Sequence, residues 1–247
     1  MSATLAQITR AAADGARLTI DLPDAAGALE WHGITKIAGP GFARSFSLAQ
    51  RGGNSAIPTH VFPGGRVENF QRRGYDLTLY EAADRSDSCL IWVGPHNEAT
   101  TWFNGPAPRR SVLNALVAAV DFADAPEGAT VKARVPAVLQ QFGTTVIGAN
   151  DRLTIMATDA RTSRETLPDW QGANRGSEEV WKVALDVDPD QKPRLAGTPY
   201  EWKYTFANAS AVFTVQFAYD LDNASMRAAD TGLADAVLAG LKVQWSQ

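Results

Sequence analysis

Cys89 and His96 are the first pair of side chains in this sequence whose types could support catalysis. A nucleophilic cysteine works as a thiolate, and a neighbouring imidazole is the usual base that generates it. Residues 89–93, however, read Cys-Leu-Ile-Trp-Val, which is apolar at every position. Burial in such a run raises the pKa of a thiol and makes it unreactive. The sequence therefore predicts that Cys89 packs in a central strand covered on both faces.

The remaining histidines and acids offer weaker chemistry. His96 stands two residues before Glu98, and Asp84 and Asp87 are further acids nearby in the sequence. This cluster is the one from which an enzyme site without a recognised motif could be assembled, because catalytic geometry depends on the fold rather than on spacing. The three histidines form neither an HExxH nor a paired CxxC zinc pattern. We predict no metal ion, no cofactor and no catalytic residue that a motif identifies.

An acidic run, Asp186-Val-Asp188-Pro-Asp190, has the alternating carboxylates of a calcium-binding loop. An EF-hand loop also needs Gly at its sixth position and Glu at its twelfth, where this chain has Gln191 and Gly197. We therefore interpret the run as an acidic turn. The glycine-rich turns also lack the spacing of a phosphate-binding loop, and no GxSxG elbow is present.

Aromatic side chains are the most unusual content, with 7 Trp, 10 Phe and 5 Tyr. Most of them alternate with polar residues and are expected in the core. Trp102, Phe103 and Trp170 instead lie in or beside long segments with few apolar residues. Rings in such places either pack from a loop onto the core or mark a contact surface for protein or sugar. We predict these three as candidate binding residues.

Arginines form a second candidate surface. Arg66, Arg72 and Arg73 are one local cluster, and Arg109 with Arg110 is another. The whole chain carries 23 Lys and Arg against 27 Asp and Glu, a net charge of −4. This balance disfavours nucleic-acid binding, which needs strongly clustered cations. We predict that these arginines, Arg72, Arg73, Arg109 and Arg110 above all, meet solvent or an acidic protein partner.

The elements that position these side chains are predicted to be mostly strands, because apolar and polar residues alternate with period two along much of the chain. The predicted strands centre on residues 18–22, 29–37, 75–79, 89–93, 100–103, 130–135, 153–157, 181–187, 200–206, 211–219 and 243–245. The runs 200–206 and 211–219 carry facing aromatic residues, which predicts an antiparallel hairpin.

Two stretches have a helical period instead. Residues 111–124 are predicted as a helix with Ser111 as its N-cap, and its apolar stripe is Val112, Leu113, Leu116, Val117 and Val120. Residues 228–242 are predicted as a second helix, in which Leu233, Val237 and Leu241 share one face. Residues 3–14 are a weaker third candidate, because they are rich in Ala.

The order of elements is similar in two halves of the chain. Strands, a helix and a further strand follow one another from about residue 75 to 135 and again from about 179 to 245. This order is consistent with an internal duplication, although residue identities do not repeat. We predict a β-rich α+β fold of mostly antiparallel sheets with two or three helices. We predict either two domains, residues 1–140 and 141–247 with an approximate boundary between them, or a single domain.

Localisation is predicted from what the sequence lacks. One cysteine forms no intrachain disulfide, and the amino-terminal residues lack the basic start and apolar run of a secretory signal. No window reaches the roughly 18 apolar residues of a membrane-spanning helix. We expect synthesis in the cytoplasm and no membrane span, with later incorporation into a released particle left open.

Three long segments, residues 49–74, 94–110 and 160–177, are predicted as loops. Loops of this length in a compact domain commonly serve function or contact a partner. We therefore predict a non-enzymatic assembly protein, a homo-oligomer or a subunit of a larger object such as a virion or an injection machine. The alternatives are a carbohydrate- or small-ligand-binding module that uses the loop aromatics, and an enzyme with its site near His96.

Overall fold

The structure is a computed structural model that describes residues 5–72, 74–218 and 226–247, with only the backbone described for residues 226–231. It is rich in β-strand, at 52%, and its large sheets are antiparallel, so the predicted β-rich α+β class is confirmed. The carboxyl end of the predicted strand 211–219 lies outside the described residues. Among the residues described, no helix is long and apolar enough to cross a membrane.

The strands and helices are numbered along the chain. The strands are β1 Leu5–Ala11, β2 Arg17–Pro23, β3 Glu30–Gly39, β4 Phe42–Gln50, β5 Arg66–Arg72, β6 Tyr75–Glu81, β7 Asp87–Val93, β8 Asn97–Asn104, β9 Val120–Ala125, β10 Gly128–Ala133, β11 Gln140–Ala149, β12 Leu153–Asp159, β13 Ala173–Arg175, β14 Glu178–Ala184, β15 Trp202–Ala207, β16 Ala211–Phe217 and β17 Lys242–Ser246. The helices are α1 Arg110–Ala119, α2 Ala160–Ser163, α3 Lys192–Leu195 and α4 Met226–Gly240.

The chain divides into two compact units. Unit 1 takes Met1–Thr9, Arg17–Trp31 and Val146–Gln247, and unit 2 takes Arg10–Ala16 and His32–Thr145. Unit 1 therefore draws on both ends of the chain. The division into domains at residue 140 stays a prediction.

Unit 2 is built on an antiparallel sheet with the strand order β3-β4-β8-β7-β6-β5. Leu77 and Leu79 of β6 alternate with polar residues, so they share one face of the sheet. Helix α1 and the β9–β10 hairpin cover that face, and the side chains packed there include Leu90, Phe103 and Leu116. Removing these large apolar side chains from water is the main source of stability for the unit.

The opposite face of the same sheet is covered by the segment between β4 and β5. Ile57 and Phe62 of this segment pack on Cys89 and Ile91 of β7. Strand β7 is thus apolar on both sides, as its sequence predicts.

Unit 1 contains strands in the order β13-β14-β15-β16-β12 and a small sheet with the order β1-β2-β17. The predicted hairpin of β15 and β16 is confirmed. Phe206 lies opposite Phe213 in the pairing, and their rings stack with centroids 4.8 Å apart. Helix α4 buries Leu233 and Val237, which lie on the predicted apolar face.

The two units repeat one order of elements. The series β3, β4, a short helical connection, β5 to β8, α1 and β9 matches β11, β12, a short helical connection, β13 to β16, α4 and β17. The exceptions are α3 and the short helical turn Pro199–Glu201 between β14 and β15, which have no counterpart between β6 and β7. The neighbour order is also the same, because β4-β8-β7-β6-β5 corresponds to β12-β16-β15-β14-β13. Even the last strands agree, since β9 pairs with β10, which precedes β11, and β17 pairs with β2, which precedes β3.

The predicted helix 111–124 is too long. Helix α1 ends at Ala119, and Val120 is already extended and starts β9. From Val120 onward the sequence alternates apolar and polar residues, and pairing with β10 outweighs the tendency of these residues to continue the helix. The N-cap is Arg109 rather than Ser111, and Val112 is exposed rather than part of the buried stripe.

Two further predictions of secondary structure were wrong. The Ala-rich start of the chain forms strand β1 instead of a helix, because sheet pairing with β2 outweighs helix propensity. The three segments predicted as loops contain the strands β5, β8 and β13, of which only residues 100–103 of β8 were also predicted as a strand. Strand β5 was missed because it is an edge strand with exposed residues on both faces, so its alternation is weak.

Candidate functional site

The candidate site is built around Trp102 on strand β8. In the antiparallel pairing, Trp102 lies opposite Cys89 of β7. Because side chains alternate along a strand, Phe103 points to the α1 side and is buried, whereas Trp102 points to the other face. Trp102 is 43% exposed, and its ring meets that of Phe62 edge to face at 5.7 Å.

A groove of about 500 Å³ opens beside this ring, and we call it the Trp102 groove. Besides Trp102, it is lined by residues 61–63 from the segment before β5 and by residues 82–84, 86 and 87 from the turn between β6 and β7. Val61 and Phe62 make one wall apolar, while Asp84, Ser86 and Asp87 supply polar atoms. The groove therefore combines an aromatic ring with two carboxylates.

The turn between β6 and β7 fixes the carboxylates. The amide of Ala82 donates to the carbonyl of Asp87 at 2.9 Å, which closes the turn. Asp84 Oδ1 accepts from the amide of Ser86 at 3.0 Å, and the hydrogen bonds from Ser86 lower the pKa of Asp84. Within the described part of the chain, neither Asp84 nor Asp87 forms an ion pair.

The segment that follows β8 is held against this turn. Glu81 Oε1 accepts from Arg85 Nε and from the amide of Ala107, each at 3.1 Å. Ser88 Oγ donates to the carbonyl of Gly105 at 3.1 Å. The chain then runs through Pro108 to Arg109, an exposed residue with φ −57° and ψ 150°.

The predicted arginines do not form one cluster around a ligand. Arg110 pairs with Glu68 and lies over the ring of Phe70 at 5.3 Å. Arg72 Nη2 donates to Asn114 Oδ1 at 3.2 Å, so Arg72 and Arg110 both join β5 to α1. Arg73 lies outside the described residues. Arg109 is exposed and makes no ion pair with any residue that the structure describes.

Cys89 is fully buried, and this burial raises the pKa of its thiol to about 12. A thiol with this pKa is protonated at neutral pH and is a poor nucleophile. The prediction of a packed core cysteine is therefore confirmed.

The residues nominated for an enzyme site are separated. Glu98 accepts hydrogen bonds from the amides of Gly52 and Asn54, at 2.8 and 3.2 Å, and thereby holds the segment after β4. Glu98 pairs with Val93 at one end of the β7–β8 ladder, whereas Asp87 pairs with Asn104 at the other. Six residues of strand separate them, which is roughly 20 Å.

The histidines do not converge on a metal site. His96 uses its amide to donate to Asp124 Oδ2 at 2.7 Å, His32 lies opposite Ala49 in the β3–β4 pairing, and His60 is in the short helical connection Ile57–Val61. Over the described ranges, no group of three or more His, Cys, Asp or Glu side chains could hold a metal ion.

Trp170 belongs to unit 1 and is 53% exposed. Its carbonyl accepts from Trp181 Nε1 at 2.7 Å, which anchors the segment before β13 on the sheet. Trp170 and Trp102 are thus both exposed aromatic residues, whereas Phe103 is buried.

A second surface feature was missed in the sequence. Val135, Val138 and Phe142 are each about half exposed, at 49%, 51% and 49%. Leu139 is buried between them and anchors the segment. The amides of Val138 and Leu139 both donate to the carbonyl of Val135, so residues 135–139 form one helical turn. We call residues 135–142 the apolar segment.

Gly39 explains how the apolar segment is seated. A Cβ atom at this position would lie 2.4 Å from the carbonyl oxygen of Val138, so only glycine permits the close approach. The sequence signal for the segment was the i, i+3 spacing of Val135 and Val138, which puts both side chains on one side of a turn.

Comparison with known proteins gives no match, whether to a protein family, to a curated protein or to a solved structure.

Proposed function

We propose that this protein is a non-enzymatic assembly subunit that contacts copies of itself or neighbouring proteins, as components of viral particles and injection machines do. The observation that carries the proposal is the apolar segment. Val135, Val138 and Phe142 expose large apolar side chains within eight residues of one another. Exposed large apolar side chains grouped closely along the chain favour a protein–protein contact, because their exposure to water is unfavourable.

The anchoring of the segment supports this proposal. Leu139 is buried in the core of unit 2, and the absence of a side chain at Gly39 lets the backbone of Val138 approach strand β3 closely. Val135 and Val138 are therefore presented on an anchored turn, and Phe142 is presented on strand β11. Preorganised apolar residues lose little conformational entropy when a partner covers them.

The test is sedimentation velocity of the Val138→Asp variant over a range of concentrations. We expect it to associate at least about tenfold more weakly than the unmodified chain, because a buried carboxylate in the contact is costly. Met156→Asp is the matched control, since Met156 is 43% exposed but stands on strand β12 of unit 1. Equal association of the unmodified chain and the Val138→Asp variant would contradict the proposal.

A second candidate function is a carbohydrate- or small-ligand-binding module, and the Trp102 groove favours it. An exposed indole beside carboxylates and a serine hydroxyl can stack on a sugar ring and accept hydrogen bonds from its hydroxyl groups. The apolar segment has no role in that function. This is why we place the assembly role first.

A further inference from the structure

The Trp102 groove lacks a positively charged partner. Asp84 and Asp87 are exposed and make no ion pair within the residues described, while Arg85 of the same turn is engaged with Glu81. The ring of Trp102 also has no cation over it in the described part of the chain. An indole face and carboxylates together are the environment that favours a guanidinium group.

The chain itself uses such contacts elsewhere. Arg44 lies over Phe103 at 4.6 Å, and Arg175 lies over Phe206 at 4.5 Å while it pairs with Glu178. Arg175 thus combines an aromatic ring and a carboxylate in one site. The Trp102 groove offers the same two groups without the arginine.

Arg109 has the complementary properties. It is exposed, makes no ion pair among the described residues, and follows the sequence Gly105-Pro-Ala-Pro108. Its backbone is in the polyproline II region, and the two prolines hold the preceding segment close to that conformation. Proline-rich segments of this form dock in aromatic grooves at little entropic cost, and arginine pairs well with carboxylates.

Arg109 follows a segment that is held beside the turn lining the Trp102 groove. The segment after Gly105 is tied to the β6–β7 turn through Glu81 and Ser88, and Asp87 and Asp84 belong to that turn or adjoin it. Arg109 does not enter the groove of its own chain. When a surface and its complement lie side by side, two copies related by a two-fold axis can satisfy each other at both places.

The geometry points to a two-fold contact in which Arg109 of each copy enters the Trp102 groove of a second copy of this chain. The guanidinium lies over the indole and pairs with Asp87, and the Pro106 to Pro108 segment packs on Val61 and Phe62. This inference deepens the proposed function and rests on it, because it identifies one contact of the assembly.

The test is a charge exchange with two single variants, Asp87→Lys and Arg109→Glu. Asp84 is left unchanged, because its carboxylate holds the amide of Ser86. Each variant alone brings like charges together in the contact, and we expect sedimentation velocity to show about tenfold weaker association. In an equimolar mixture both contacts are between opposite charges, and we expect the strength of the unmodified chain to return.

Asp169→Lys and Arg17→Glu are the matched controls. Both residues are exposed and unpaired in the described structure, and both lie in unit 1. We expect each control variant, and their mixture, to associate as the unmodified chain does. Equal weakening by the two control variants, or no restoration in the Asp87→Lys and Arg109→Glu mixture, overturns the inference.

The outcomes also separate this inference from the proposed function. If the charge variants associate normally while Val138→Asp does not, the assembly role stands and the arginine contact is wrong. If the unmodified chain is monomeric even at about 100 µM, self-assembly and the arginine contact both fail. A glycan that changes tryptophan fluorescence in the unmodified chain but not in Trp102→Phe assigns the groove to sugar instead.

Discussion

Cys89 shows how one buried side chain connects packing to pH. It packs against Ile57 and Phe62 in a cluster whose core side chains are all buried. Burial disfavours the thiolate and raises the pKa of Cys89 from 9.0 to about 12. In the unfolded chain the thiol ionises near its ordinary value, so the two states bind different numbers of protons at alkaline pH.

The ionisation of Cys89 is therefore expected to lower the free energy of unfolding above about pH 9. The raised pKa in the folded state means that this contribution to stability is complete below pH 9 and is lost as the pH rises toward 12. The loss is about 1.4 kcal/mol per pH unit. Urea unfolding between pH 8 and pH 10.5 measures it, and the Cys89→Ala variant should show a shallower decline. Parallel curves for the two proteins would show that burial does not shift this thiol.

Glu98 shows the limit of reading chemistry from residue types. Its carboxylate stands two residues from His96, which is a spacing that acid–base catalysis can use. In the fold it is 7% exposed and accepts from Gly52 and Asn54, so it organises the segment that covers Cys89. Nothing in the local sequence distinguishes this role from catalysis, because the donors come from a segment more than 40 residues away.

At the level of elements, alternation in the sequence identified most of the strands that have one buried face, although β4 was missed despite its alternating buried residues Phe46 and Leu48. Strands β6 and β15 were predicted for this reason, and the pairing of β15 with β16 followed from facing aromatic residues. Strands β5, β11 and most of β9 were also missed. Strand β5 is exposed on both faces, and β9 continues from an apolar helix. Alternation in the local sequence indicates which side chains are buried, whereas the formation of β5 and β9 depends on the strands that pair with them.

The candidate site divides in the same way. Trp102 and the acids Asp84 and Asp87 were each picked out in the sequence, but they were assigned to different hypotheses. Their meeting depends on the register of β7 against β8 and on the turn between β6 and β7. Register is set by long-range pairing, so residue types alone could not reveal the groove.

The start of β9 can be tested by substitution. Phe122 is 6% exposed and packs edge to face on Tyr75 at 4.8 Å, because β9 turns it into the core. We expect Phe122→Ala to lower the free energy of unfolding by roughly 3–5 kcal/mol.

Val112→Ala is the comparison for this prediction. Val112 belongs to the predicted apolar stripe but is exposed, so we expect a loss within about 0.5 kcal/mol. Urea unfolding of both variants measures the difference. A large loss for Val112→Ala and a small one for Phe122→Ala would instead support a helix that continues to residue 124.

For the whole molecule, the repeated order of elements gives two units that each have a core of their own. In unit 2, β9 pairs with β10, which is the next strand along the chain. In unit 1, the corresponding strand β17 pairs with β2, which lies near the amino terminus. Unit 1 therefore needs both ends of the chain before its small sheet can form. Contacts between residues so distant in sequence form slowly, because the loop between them must close first.

The dependence of unit 1 on its last strand can be measured by hydrogen exchange. Trp245 is 5% exposed and lies opposite Leu18 in the pairing of β17 with β2, so Trp245→Ala removes a large part of that contact. We expect amides of β2 and β17 to exchange faster in this variant, while those of β6 and β7 keep their rates, because local opening follows the contacts that were lost. Phe122→Ala should produce the reverse pattern, since its contacts belong to unit 2. If both variants accelerate exchange equally throughout the chain, the two cores unfold together and the division into units has no energetic meaning.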